Sequence, residues 1–252
     1  DLNSVTATAV ERVFVDRFGD ASDWTFSFSG DFDIDAATDL ARTYLGTLPA
    51  TGRFEAVDYI EPPAPEGAIV ETVQAGEGDQ ASVLFLITGP GTADRRDDIA
   101  ARVVQEVLTA RLTDVIREEL GESYSPFASI ELTGGARPLA ETVLSISTGP
   151  DLVDNVSRAV LEQLGDIRTN GVPANEFASA TETIRNALEL FSNEQINDEI
   201  LDALVDPAGN ASLNDFLQQA SLLGSISRND ITGFVRRWVP DGQYIEIRVL
   251  PR

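Results

Sequence analysis

The stretch that decides the fold is Ala81-Ser82-Val83-Leu84-Phe85-Leu86-Ile87-Thr88, followed after Gly89-Pro90-Gly91 by the long run from Asp94 to Leu120. The first part is rich in β-branched and aromatic residues and reads as a strand. In the second, Ile99, Val103, Val107, Leu108, Leu112, Val115 and Ile116 recur every three or four residues, the period of one helix face. Upstream, Ile69 to Val73 reads as another strand, joined to the first across Gly76 and Gly78. Downstream, Ser123 to Leu132 and Leu139 to Thr148 alternate as two strands around the turn Thr133-Gly134-Gly135-Ala136. Helical stripes follow: Val153, Val156, Val160, Leu164 and Ile167, then Phe177, Ala180, Ile184, Leu188 and Phe191. Two shorter apolar patterns precede Ser227-Arg228-Asn229-Asp230, a capping-box variant opening a helix that ends near Trp238, and Tyr244 to Leu250 closes the chain as a strand. Strands clustered apart from helices predict an α+β fold, an antiparallel sheet with helices packed on one face.

Working outward, Pro62, Pro63, Pro65 and Gly67 punctuate an aperiodic segment, which sets a Pro-rich linker at residues 56–67 and a complete α+β domain at 68–252. Residues 1–55 form a smaller block. Val10, Val13, Phe14, Val15 and Phe18 give a helix from Ser4 to Phe18 one apolar face, Trp24, Phe26 and Phe28 alternate as a strand, and Leu40, Ala41, Tyr44, Leu45 and Leu48 mark a second helix capped by Asp33 or Asp35. One strand and two helices cannot bury a core alone, so this block needs sheet partners. An internal echo suggests which. Phe14-Val15-Asp16-Arg17-Phe18 followed by Trp24 matches Phe234-Val235-Arg236-Arg237-Trp238 followed at the same distance by Tyr244. The block at 1–55 is therefore expected to be the C-terminal tail of a preceding, truncated repeat.

Composition removes most chemistry. There is no His, Cys or Met, and all 18 basic residues are Arg. That excludes a His-based zinc triad, Ser-His-Asp and Cys-His nucleophiles, disulfides, the Walker lysine and Schiff-base lysines in this chain. A net charge of -24 repels nucleic-acid phosphates and anionic lipid surfaces, so neither nucleic acid nor membrane is an expected partner. With 42% apolar residues the chain can bury a core, and no apolar run approaches the ~20 residues of a spanning helix. The chain is expected to be soluble. It starts at Asp1 without an initiator Met, which suggests a processed or excised piece, so any targeting segment is expected upstream of it.

Two motifs are set aside on geometry. Asp31-Phe32-Asp33-Ile34-Asp35 starts like a calcium loop, but Ala36 and Arg42 stand where the loop needs Gly and a bidentate Glu, and helix capping explains the aspartates. Gly76-Glu77-Gly78 and Gly89-Pro90-Gly91 read as turns, since neither opens a phosphate-cradling helix. The informative cluster is Arg117-Glu118-Glu119-Leu120-Gly121-Glu122-Ser123-Tyr124. Gly121 stops the long helix, which leaves Arg117 in its last turn and Tyr124 at the start of a strand. An Arg there can grip a carbonyl or carboxylate, and a Tyr hydroxyl can donate to a developing oxyanion. A basic residue at a helix C-terminus and an aromatic opening a strand are also ordinary structural choices.

The run Leu112 to Tyr124 resembles the Arg/Tyr segment in the C-terminal half of pitrilysin/insulinase-type zinc metallopeptidases. Phe26-Ser27-Phe28-Ser29-Gly30-Asp31-Phe32-Asp33 and Tyr44-Leu45-Gly46-Thr47-Leu48-Pro49 are similar to the same family's strand and capped-helix signature. The resemblance covers nearly the whole chain and implies the C-terminal, substrate-enclosing part of a zinc endopeptidase acting on peptides or small unfolded proteins. It implies no cofactor in this chain, zinc in an N-terminal half that is the partner, and Arg117 and Tyr124 reaching across to contact peptide substrate. The chain alone should be inactive. Three parents fit the resemblance: a long single-chain peptidase, a non-catalytic partner subunit, or a homologue that has lost activity and serves in binding or assembly.

Overall fold

The computed structural model describes residues 5–54, 66–76, 78–90, 95–119, 126–133, 139–188, 193–205 and 218–252. The chain divides into two compact units, one of residues Asp1–Ile60 with Ser192–Val205, the other of Glu61–Phe191 with Asp206–Arg252.

The larger unit holds β1 (Ala68–Gly76), β2 (Ala81–Pro90), α3 (Arg95–Asp114) with a π-helical turn at Val115–Glu119, β3 (Phe127–Thr133), β4 (Leu139–Thr148), α4 (Val153–Asn170) and α5 (Ala174–Leu188). Helices α7 (Gln219–Ser225) and α8 (Arg228–Trp238) and strand β5 (Tyr244–Pro251) complete it. The strands form one sheet in the order β1-β5-β2-β4-β3. The α+β class holds, but the sheet is mixed and not wholly antiparallel, because β1 and β5 run parallel. The reason lies in the route of the chain. β1 and β2 reverse direction across a short connection without pairing, and β5 fills the gap between them. Antiparallel to β2, it is necessarily parallel to β1.

Strand alternation sorts the two faces of this sheet. In β2, Ala81, Val83, Phe85 and Ile87 are no more than 2% exposed, while the intervening Ser82, Leu84, Leu86 and Thr88 are only half-buried. β4 repeats the pattern in register, with Leu144 opposite Phe85 and Ile146 opposite Val83. The buried face carries α3, α4 and α8. α3 contributes Ile99, Val103, Val104, Val107, Leu108 and Leu112 to the core. α4 adds Val156, Val160, Leu164 and Ile167, and α8 adds Ile231, Phe234 and Val235. The capping box read at Ser227 is formed, since Ser227 accepts the Asp230 amide while the Asp230 carboxylate accepts the Ser227 amide. Among the described residues one charged group is fully inside. Glu246 of β5 is 1% exposed, accepts hydrogen bonds from Ser157 Oγ and Arg248 Nε, both at 2.5 Å, and so ties β5 to α4. Arg248 extends the link to Asp154 at 2.8 Å.

The smaller unit holds α1 (Ala7–Phe18), α2 (Ile34–Tyr44) and α6 (Asn193–Val205). Asp33, one of the two expected caps, accepts the Ala36 amide at 2.8 Å and starts α2. Residues 24–29 pair with no strand among the described residues, although their alternation predicts one. A strand is defined by its ladder, and none of the five strands belongs to this unit. Neither α1 nor α2 buries a single residue, and Phe14, Phe18, Trp24 and Phe26 form an exposed ladder of rings with centroids 5.1, 6.2 and 5.7 Å apart. Asp20 closes the unit's turn by accepting the amides of Ser22 and Thr51 and both their hydroxyls, and Ser27 Oγ donates to Asn197 Oδ1 of α6 at 2.7 Å.

Candidate functional site

The C-terminal end of α3 is built from its buried stripe outward. Leu112 and Ile116 are each 1% exposed and hold the helix to the core through its last turns. The sequence predicts one α-helix to Leu120; α3 instead ends at Asp114 and changes to a π turn over Val115–Glu119. A π turn inserts one residue into the ladder, is rare, and occurs disproportionately at functional sites. Arg117 sits in this turn, exposed beside the buried Ile116, with no carboxylate partner among the described residues. Tyr124 lies outside the described residues, so its relation to Arg117 remains an expectation of the sequence.

Both flanks of the segment between Arg117 and β3 are fixed. On the helix side Arg111, whose side chain is 11% exposed, donates Nε to Glu176 Oε2 and Nη1 to Asp166 Oδ2, each at 2.7 Å, and so ties α3 to α5 and α4. Asn170 also donates to Asp166, and these two donors, Asn170 first, hold the Asp166 carboxyl below its usual range. On the strand side Pro126 and Ala128 are buried, and the Ile130 amide donates to Gln105 Oε1 of α3 at 3.2 Å. β3 is the edge strand of the sheet. Arg117 is therefore an exposed cation in the turn that follows the anchored end of α3. Sequence reasoning missed Arg111 in its supporting role; the signal was an Arg inside an otherwise apolar helical stripe.

Among the described residues no metal-holding cluster accompanies Arg117. The chain has no His or Cys, and among the described residues no group of three or more carboxylates could hold an ion.

The family's sequence profile, described as the peptidase M16 inactive domain, matches residues 10–184, more than half of the chain. This chain belongs to the peptidase M16 inactive-domain family. Solved structures agree on the fold. The M16 inactive domain from Pseudomonas fluorescens superposes with a TM-score of 0.75 at 15% identity, over 99% of this chain and 58% of that one. The periplasmic protease PqqL from Escherichia coli gives 0.67 at 17% identity, over 88% of this chain and 25% of that one. The ferredoxin protease FusC, in complex with Arabidopsis ferredoxin, gives 0.72 at 14% identity, over 100% of this chain and 27% of that one. No curated protein matches the chain. The M16 chain thus spans a quarter to three-fifths of the length of these structures. Among the described residues no helix is long and apolar enough to cross a membrane.

Proposed function

We propose that this M16 chain is the C-terminal, substrate-enclosing part of a zinc-dependent endopeptidase acting on peptides or small unfolded proteins, with the zinc carried by an N-terminal half. The observation that carries the reading is the match to the family's inactive domain in a chain that has no His or Cys. The N-terminal half, on the same chain or on a partner subunit, is the partner this reading requires. Residues 1–55 are then the tail of the preceding repeat. The alternating segment at 24–29, which no strand among the described residues joins, and its exposed rings support this, because they are what a repeat leaves when its other strands are elsewhere.

In this reading Arg117 holds the backbone of a bound peptide. Its guanidinium is exposed, mounted on the π turn, and without a carboxylate partner among the described residues, which leaves its donors available. Tyr124 supplies a neutral hydroxyl as a second donor to the same peptide. FusC, captured with ferredoxin, gives a precedent for a protein substrate in this family. The family profile's description as an inactive domain also favours a second reading, a catalytically silent homologue that binds or assembles.

The two readings separate in an assay on an unfolded peptide. The first expects no cleavage by this chain alone and chelator-sensitive cleavage when the N-terminal half is present. Absence of an H-x-x-E-H sequence from both the upstream chain and any partner subunit sinks the first reading and leaves the second.

A further inference from the structure

The larger unit contains a recess of about 180 Å³ between α4, the C-terminal end of α8, β2 and the start of β5. Its floor is apolar, made by Ile87, Leu164, Val235 and Val239, and its polar lining includes Arg168 and Asp241. Gly165 explains why the space is open. A Cβ at this mid-helical glycine would meet no atom within 4 Å, so no close approach demands it, although glycine inside a helix costs about 1 kcal/mol relative to alanine. Arg168 donates to the Val239 carbonyl, which fixes the guanidinium at the wall. It has no carboxylate partner among the described residues, in a chain whose net charge is -24. Asp241 lies on the same lining from the turn that follows α8.

We infer that this recess binds a free branched aliphatic amino acid, its side chain on the apolar floor, its carboxylate on Arg168 and its ammonium on Asp241. Size agrees, since an apolar cavity of about 150 Å³ accommodates benzene. Charge selects the zwitterion. A simple aliphatic carboxylate is repelled by the acidic chain and leaves Asp241 unused, and an aliphatic amine leaves Arg168 unused. Free amino acids are end products of peptide hydrolysis, so the recess is suited to sensing peptide breakdown, but binding itself does not depend on the proposed peptidase role.

The test is calorimetry of the intact protein with L-leucine, and with 4-methylpentanoate and 3-methylbutylamine as ligands lacking one charge each. Leucine is expected to bind saturably, and each half-ligand at least about tenfold more weakly, the loss of one charge-assisted hydrogen bond. Arg168→Gln should weaken leucine by a similar factor, with Arg168→Lys retaining part of the affinity. Gly165→Leu fills the recess and should abolish binding, with circular dichroism and a melting temperature at or above that of the parent showing that the fold is intact. No saturable binding of leucine, leucine binding unchanged by Gly165→Leu, or 4-methylpentanoate binding as tightly as leucine would each overturn the assignment.

Discussion

At the residue scale, the fold depends on a few groups whose partners are distant in sequence. Arg248 is the counter-charge of the buried Glu246, and Arg248→Leu should cost about 3 kcal/mol in a denaturant titration, because it leaves a carboxylate inside without its cation. Gly171, at φ 78°, ends α4 where a Cβ would meet Thr232 Oγ1 at 2.8 Å, so Gly171→Ala combines backbone strain with a clash and should cost about 2 kcal/mol. Acid sensitivity has a defined sign. The carboxyls of Asp166 and Asp230 are held low, the first by Asn170 and Arg111, the second by Ser227 and then Arg96. A depressed folded pKa contributes stability above the unfolded value of about 3.9 that is lost as pH falls through the folded one. Asp230→Asn should therefore flatten the acid limb of a stability profile while leaving its shape near neutrality. Glu106 behaves oppositely, since burial raises its carboxyl, so Glu106→Gln should raise the melting temperature at pH 7 and lose that advantage as pH falls to about 4. Of these pairings only the Ser227–Asp230 capping box was legible in the sequence. Arg111 reaches partners 55 and 65 residues away, and only folding reveals which carboxylates those are. The exposed position of Arg117 near the end of the long helix was readable from local signals, and its role remains the proposal made above.

At the element scale, local period and punctuation located almost every helix and strand, and failed where a third element decides. The alternation of Trp24, Phe26 and Phe28 is genuine strand chemistry, yet a strand also requires a ladder, and no strand among the described residues joins this segment. Likewise β1 and β2 were readable singly, but their separation by β5 depends on the last eight residues described, far away in the chain. The π turn after α3 carries no period of its own and read as plain helix. Hydrogen exchange followed by mass spectrometry separates these cases. Amides of β2, paired on both sides, should exchange slowest, and those of residues 24–29 should exchange orders of magnitude faster in this chain taken alone. Slow exchange at 24–29 would mean that the segment has a ladder partner after all.

At the scale of the whole molecule, the two units differ in kind. The larger closes a core around Phe85, Leu108, Leu144 and Phe234, all fully buried, and membership in the M16 inactive-domain family accounts for its architecture. The smaller exposes its aromatic ladder and buries nothing on α1 or α2, which agrees with the proposal that it is the tail of a preceding repeat. Under the proposed function the chain encloses a peptide and offers Arg117 and Tyr124 to it while the zinc sits in an N-terminal half. The most direct measurement is the turnover of an unfolded peptide by the intact, zinc-loaded assembly carrying Tyr124→Phe or Arg117→Gln. The account predicts that either substitution lowers turnover by about 100-fold, the usual loss for one transition-state donor, with the melting temperature nearly unchanged. Normal turnover per folded molecule in both variants, or an intact assembly that cleaves nothing, would contradict it.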